Sequence, residues 1–287
     1  MAVNDRDSYT GKLTTGHDWN GIKELDSPIP KVVLFFLGAG ILFLVIWTVL
    51  MPAWPSFSTY TKGLLGTDQR REVEQTLAEA AAERASWTSR IESEDFAAIQ
   101  ADPGLMSIVR QTGATLFGDN CAACHGGNAT GGPGFPNLVQ APTLWGDDPQ
   151  TIAETIRVGI NSTHPETRFG QMLAFGRDQM LPAADVNAVV AYVRSLTDPA
   201  VTDPDGAGAQ LFADNCAGCH GADATGLPDT GAANLTDAFW IYGGDASAIH
   251  HSVYFGRQGH MPAWEGRLSP VDIKLLALYV LDLRAGT

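Results

Sequence analysis

Residues 113–126 of the chain are GATLFGDNCAACHG, and residues 208–221 repeat this segment as GAQLFADNCAGCHG. The two segments lie 95 residues apart and are identical at 11 of their 14 positions. Self-similarity at a fixed offset is the signature of a duplicated structural unit. The repeat therefore predicts two copies of one domain, separated by the Pro-, Asp- and Gly-rich segment 197–206.

Each copy contains the pattern Cys-x-x-Cys-His, which is typical of c-type haem attachment. Two cysteines three residues apart can form thioether bonds to the vinyl groups of one haem, and the adjacent histidine then lies beneath the iron as an axial ligand. We therefore expect two covalently bound haem c groups. The residues that would hold them are Cys121, Cys124 and His125 in the first copy and Cys216, Cys219 and His220 in the second.

Two other uses of the cysteines are less consistent with the sequence. A redox dithiol of the thioredoxin kind expects a strand–helix–strand context, which is absent here. A zinc site could combine all four cysteines, but it would not need a histidine in each copy. Both alternatives leave the duplication of the whole five-residue pattern unexplained.

Methionine is the expected sixth ligand of each iron. Met172 follows His125 by 47 residues, and Met261 follows His220 by 41 residues at the corresponding place in the second copy. A neutral thioether raises the reduction potential relative to a second histidine. With both axial positions filled, neither iron would offer an open site to a substrate, which argues against peroxidase chemistry. Other candidate ligands are Met180, His164, His250, His251 and His260.

The carbonyl of Pro136 is expected to accept a hydrogen bond from Nδ1 of His125 and to fix the orientation of this imidazole. The second copy has Ala233 at the corresponding position. The sequence therefore leaves the position of the second carbonyl open.

Helical periodicity dominates the rest of each copy, and strand signals are few. Apolar residues recur at i, i+3 or i+4 before each motif and again at the end of each copy. The predicted fold class is mainly α, with one N-terminal transmembrane helix followed by two tandem class I cytochrome c domains. The domains are expected at residues 105–198 and 204–287.

Residues 32–51 contain no charged side chain. At about 1.5 Å per residue, 20 residues span roughly 30 Å, the thickness of a bilayer core. A signal peptide would have a shorter apolar core and a cleavage site, so we expect a retained transmembrane helix at 32–52. A core helix is the other alternative.

Haem c is attached outside the cytoplasmic membrane of bacteria, which orients the predicted anchor. We expect residues 1–31 in the cytoplasm, a largely helical periplasmic linker at 53–104, and the haem domains in the periplasm. The protein would thus be a single-pass protein of the bacterial inner membrane.

The formal net charge is −14 and the pI is about 4.7. Nucleic-acid binding requires clusters of Lys and Arg, so nucleic acid is not an expected partner. After residue 51 the chain has 14 Lys and Arg against 27 Asp and Glu. This excess of acidic residues favours a basic protein partner.

Several short segments make the chain similar to one known family. Residues 19–30, WNGIKELDSPIP, precede the apolar run, and PAWP follows it at 52–55. Further similar segments are FPNL at 135–138, LWG at 144–146 and MPAW at 261–264. Together with the anchor and the two motifs, they resemble the dihaem subunit (subunit III) of cbb3-type cytochrome c oxidases. The departures are Asn20 in place of Asp, Ala233 in place of Pro, and the single membrane span.

The resemblance implies a function. A subunit of this kind accepts electrons from a soluble or membrane-anchored cytochrome c and passes them to a monohaem cytochrome c subunit. They continue to the catalytic haem-copper subunit, where O₂ is reduced to water, so this chain would not be catalytic by itself. The resemblance also implies axial pairs of His125 with Met172 and of His220 with Met261.

Two other functions are compatible with parts of the sequence. A free-standing, membrane-anchored dihaem shuttle similar to the tandem cytochromes of the c4 kind explains the haem motifs and the anchor. It does not explain the elaborate segment before the span, which we expect to dock on partner subunits; a membrane-surface anchor is the alternative for this segment. A dihaem peroxidase would need an iron with a vacant site, whereas both copies supply a methionine.

Overall fold

The computed structural model describes residues 5–203 and 206–286. The predicted boundaries at residues 1, 204 and 287 lie outside these ranges. The chain divides into two units, one up to Glu83 and one from Arg84 onwards.

The N-terminal unit begins with a β-hairpin that the sequence analysis did not predict. Strand β1 (Thr14–Trp19) pairs antiparallel with β2 (Ile22–Leu25). The turn residues Asn20 and Gly21 both have positive φ angles, 56° and 91°. Asn-Gly is the strongest short-range signal for a hairpin turn of this kind. Asn20-Gly21 is therefore the feature of the sequence from which these two strands could have been predicted.

Helix α1 (Lys31–Leu50) is the apolar helix of the N-terminal unit. Its mean hydropathy is 2.7, and none of its side chains is buried within the chain. The helix ends before Met51, which is extended and precedes Pro52. By length and composition α1 can cross a membrane, and it ends two residues before the predicted limit of 52.

The segment after the apolar helix contains two helices, within the linker at 53–104 that was predicted to be largely helical. They are α2 (Gln69–Ser93) and α3 (Phe96–Ala101). Asp95 separates them because its side chain accepts a hydrogen bond from the Ala98 amide and caps α3. The fully buried Ile91 and Ile99 pack against the helices that follow.

Eight further helices follow in the described residues of the second unit. They are α4 (Pro103–Asn120), α5 (Ala122–His125), α6 (Pro149–Val158), α7 (Ala183–Ser195), α8 (Ala207–Asn215), α9 (Ala217–His220), α10 (Ala246–Phe255) and α11 (Pro270–Ala285). Side chains cap four of them at their N-termini and satisfy amides that lack intrahelical partners. These caps are Asp102, Asp148, Asp245 and Ser269. The predicted mainly α fold with one N-terminal apolar helix is confirmed.

The helices pack into two bundles that do not coincide with the two sequence copies. The first bundle contains α4, α5 and α6 of the first copy together with α11, the last helix of the second copy. The second bundle contains α7, the last helix of the first copy, with α8, α9 and α10. The second bundle is thus built from one continuous stretch, and the first from the two stretches that flank it.

A pair of equivalent glycines marks the crossings that create this arrangement. A Cβ atom on Gly113 of α4 would lie 2.6 Å from Cβ of Tyr279 in α11. A Cβ atom on Gly208 of α8 would lie 2.7 Å from Cβ of Tyr192 in α7. Because each glycine has no side chain, the last helix of the other copy can approach its backbone closely.

The domains predicted at 105–198 and 204–287 follow the sequence repeat, and the packing exchanges their closing helices α7 and α11. Residues 196–206 connect α7 to α8 and are fewer than residues 159–182, which separate α6 from α7, and consecutive elements tend to be adjacent in space. Once α7 packs on α8, the first copy lacks its own closing helix. The equivalent α11 occupies that place.

We expect Gly113→Ala to destabilise the protein, because Tyr279 would have to move away from the crossing. Overpacking of this kind costs about 1–3 kcal/mol. Gly118→Ala is the matched control on the same helix, since a Cβ there meets no atom within 4 Å. Thermal unfolding should show a lower midpoint for the first variant alone. Equal midpoints for both variants would contradict a close crossing at Gly113.

Candidate haem sites

Both Cys-x-x-Cys-His motifs have the same local geometry. Cys121 ends α4 and caps the one-turn helix α5, at whose end His125 lies. The carbonyl of Cys121 accepts hydrogen bonds from the amides of Cys124, at 3.1 Å, and His125, at 2.9 Å. The tight turn places the two thiols and the imidazole of one motif close together. Cys216, Cys219 and His220 are arranged in the same way around α9.

A backbone carbonyl orients each imidazole. Nδ1 of His125 lies 3.4 Å from the carbonyl oxygen of Pro136, and Nδ1 of His220 lies 2.9 Å from that of Ala233. When Nδ1–H donates to a carbonyl, the lone pair of Nε2 remains available to a metal. The expected Pro136 contact is present, and the alanine of the second copy leaves the carbonyl in the equivalent place.

Glycines make this carbonyl placement possible. Gly226 has a φ of 86°, and its amide donates to the carbonyl of His220 at 2.7 Å. A Cβ atom there would lie 2.5 Å from the carbonyl oxygen of Ala232, next to Ala233. In the first copy, the Gly131 amide donates to the carbonyl of His125 at 2.8 Å, and a Cβ atom on Gly131 would lie 2.7 Å from the carbonyl oxygen of Pro136.

Burial controls the protonation of these groups in the chain. It raises the pKa of the Cys121 thiol and that of the Cys216 thiol, each to about 11, with a smaller contribution from the neighbouring cysteine of each motif. Burial also lowers the pKa values of His125 and His220, against the opposing effect of their carbonyl hydrogen bonds. The imidazoles are therefore held in the neutral form that binds iron.

Met261 lies at the first motif, although it belongs to the second copy. A cavity of about 620 Å³ is lined by His125 and Met261 together. Its walls are largely apolar and come from both copies, including Phe117, Ile156, Leu276 and Val280. Met261 also packs on the hydrophobic cluster that contains Cys121.

Met172 has the reciprocal position. It packs on the hydrophobic cluster of the second bundle, together with Cys216, Phe212 and Trp240. The structure therefore brings each methionine to the motif of the other copy. This contradicts the pairing of His125 with Met172 and of His220 with Met261 that the family resemblance implied. The reason is the exchange of α7 and α11, since each methionine segment precedes one of these helices.

A short antiparallel bridge joins each methionine to a residue of the other copy. Met261 and Ile160 exchange both backbone hydrogen bonds, each 2.9 Å long. Met172 and Arg257 do the same, at 2.8 and 3.1 Å. The positions of both sulfur atoms thus depend on contacts between the copies.

The other candidate ligands have different surroundings. His164 lies 2.6 Å from the Glu265 carboxylate, and Nδ1 of His260 lies 2.9 Å from the carbonyl oxygen of Asn161. The rings of His250 and His251 lie against Tyr254 and Phe255, respectively. Met180 is half exposed and packs in neither core.

The donor set of the first site fits a haem c group. It combines two thiols for covalent attachment, a neutral imidazole with a fixed Nδ1–H, and a thioether at the same apolar cavity. The second motif offers the same donors, with Met172 as its thioether.

Comparisons with known proteins identify three segments of the chain. Residues 111–197 match the family model for cytochrome c, and residues 204–280 match that for cytochrome c oxidase, cbb3-type, subunit III. Residues 11–58 match the N-terminal domain of cytochrome oxidase-cbb3, FixP. The last match includes the hairpin and α1.

Full-length relatives agree with these matches. The chain is 45% identical over 284 residues to the cbb3-type cytochrome c oxidase subunit FixP of Bradyrhizobium sp. (strain ORS 278), covering 98% of this chain and 97% of the relative. It is 41% identical over 278 residues to subunit CcoP of Cereibacter sphaeroides, covering 95% of each chain. It is 40% identical over 295 residues to subunit CcoP of Azospirillum sp. (strain B510), covering both chains completely.

We expect Gly226→Ala to raise the reduction potential at the second motif. The added methyl group displaces the Ala233 carbonyl, and an imidazole without that acceptor is a less basic ligand. Gly218→Ala is the matched control, because a Cβ there meets nothing within 4 Å and the first copy has Ala123 at this position. Spectroelectrochemical titration of both variants measures the effect. A potential that rises equally in both would refute the role of the carbonyl.

Proposed function

The chain belongs to the subunit III (FixP/CcoP) family of cbb3-type cytochrome c oxidases, and on this premise we propose that it relays electrons from a cytochrome c donor to the other oxidase subunits. Cytochrome c domains imply haem c binding, and membership of the oxidase implies further subunits. The observation that best supports the relay is the placement of one methionine at each Cys-x-x-Cys-His motif.

We propose two covalently bound haem c groups with crossed axial ligands. Cys121 and Cys124 would attach the first group, with His125 and Met261 as the iron ligands. Cys216 and Cys219 would attach the second, with His220 and Met172. The bound haem supplies one-electron redox chemistry at high potential when a thioether is its sixth ligand.

The chain itself contributes orientation and exclusion of water. The carbonyls of Pro136 and Ala233 hold the imidazoles, and the apolar bundle cores surround the ligand atoms. Residues 232–234 and 237–241 also line the cavity of the first motif, although Ala233 holds His220 of the second. This shared wall supports electron transfer between the two sites over a short distance.

We propose that the monohaem cytochrome c subunit and the catalytic haem-copper subunit receive these electrons. The donor would be a soluble or membrane-anchored cytochrome c with a basic face, in keeping with the acidic residues after position 51. Helix α1 would contact membrane lipid in the bacterial inner membrane. The N-terminal segment would lie in the cytoplasm and the haem sites in the periplasm, because haem c is attached on that side.

A variant chain that carries one haem can test the crossed ligands. In Cys121→Ala/Cys124→Ala, we expect the sulfur-to-iron(III) charge-transfer band to be lost with Met172→Leu and kept with Met261→Leu. In Cys216→Ala/Cys219→Ala, the two methionine substitutions should have the opposite effects. Ligation within each copy would reverse both results.

Gentle detergent extraction of the native chain tests the relay function. We expect haem b, copper and O₂-reducing activity to co-purify with the chain, and antibodies to the chain to deplete that activity. A chain that purifies with haem c alone would instead support the free-standing dihaem shuttle.

A further inference from the structure

We propose that Asn161 is a positioning residue shared by both haem sites, holding the two methionine segments at once. The inference rests on the proposed axial roles of Met172 and Met261. The side chain of Asn161 lies outside both motifs and would hold both thioether ligands in position.

The side chain of Asn161 joins two segments that are far apart in sequence. Its Nδ2 group donates to the carbonyl of Gly170 at 2.8 Å and to the carbonyl of Gly259 at 2.6 Å. Its Oδ1 atom accepts from the amide of Gly170 at 3.2 Å. Both N–H bonds of the amide group are therefore used, one for each segment.

The two glycines occupy equivalent positions relative to the ligands. Gly170 lies two residues before Met172, and Gly259 lies two residues before Met261. Asn161 itself follows Ile160, whose backbone pairs with Met261. A movement of Asn161 would therefore be transmitted to both methionines through short, hydrogen-bonded segments.

The backbone of Asn161 supports the same function. Its φ angle is 49°, in the left-handed region that asparagine tolerates better than most residues. Its amide donates to the carbonyl of Arg168 at 2.8 Å, and its own carbonyl accepts from Nδ1–H of His260 at 2.9 Å. The residue is thus connected to both segments through its main chain as well.

The sequence repeat does not reproduce this contact in the second copy. Gly159 and Gly256 are equivalent helix-ending glycines, and the residues two positions later are Asn161 and Gln258. Gln258 is exposed and does not have a positive φ angle. One asparagine therefore provides a link that the two-fold repeat alone would not create, and Gln258 offers a matched control.

The experiment measures how readily imidazole displaces each methionine from the oxidised, haem-loaded chain in detergent. The variants are Asn161→Gly, which removes the side chain and keeps the backbone angle, and Asn161→Asp, which keeps the size and removes the donors. Gln258→Gly controls for added loop flexibility. Met172→Leu and Met261→Leu backgrounds, each of which leaves one thioether ligand, separate the two sites.

We expect both Asn161 variants to raise the apparent affinity for imidazole about fivefold at each site, since each methionine segment loses the hydrogen bond that it accepts from Nδ2. Gln258→Gly should leave both affinities unchanged. An effect confined to one site, or the same effect in Gln258→Gly, would overturn the proposal.

The same measurements separate a failure of this inference from a failure of the proposed ligands. Absence of a sulfur-to-iron(III) charge-transfer band in the parent chain would refute the axial roles of the methionines, and the inference with them. A normal band in the parent, with unchanged imidazole affinity in both Asn161 variants, would refute the shared positioning role alone.

Discussion

The packing of the last helix, α11, on the first copy is the contact on which the rest of the second unit depends. Helix α4 ends directly before the first haem motif, and α11 covers it at the crossing of Gly113 with Tyr279. Without α11, the buried faces of α4 and α6 would be exposed to water, at a cost of about 25 cal/mol for each Å² of apolar surface. The same contact brings Met261 to the cavity of His125, so the stability of the first bundle and the proposed ligation of its site have one origin.

Because of this topology, the second site is built from one continuous segment of the chain, whereas the first site needs two separate segments. The second bundle is continuous in sequence, so its helices can associate without closing a loop around another bundle. The first bundle closes only when α11 returns across the whole second bundle. Folding of the second bundle brings the ends of this loop closer together and lowers the entropic cost of closing the first bundle, whereas α11 is not part of the second bundle. We infer that the site of Cys216 forms before the site of Cys121 is complete.

The sequence predicted the chemistry of the sites better than their assembly. Cys-x-x-Cys-His, the methionines and the helical periodicity are local patterns, and local patterns can be recognised without knowledge of packing. The choice between Met172 and Met261 for His125 is not local, because Gly113 and Gly208 are equivalent in the repeat and the local sequence does not say which closing helix crosses which glycine. A repeat shows that two units are alike. It does not show whether the closing helix of each unit packs on its own unit or on the other one. The hairpin at Asn20-Gly21, by contrast, could have been predicted, because its turn is specified by a local dipeptide.

Exchange of the closing helices also explains why the methionine segments meet. In two self-contained domains, each methionine would be held by its own copy, and the two sites could move independently. Here Met261 pairs with Ile160 and Met172 pairs with Arg257, so each proposed ligand is held by the other copy's backbone. Asn161 lies beside one of these bridges and reaches the segment of the other. With the proposed ligands, a displacement of one thioether would therefore strain the hydrogen bonds that position its counterpart.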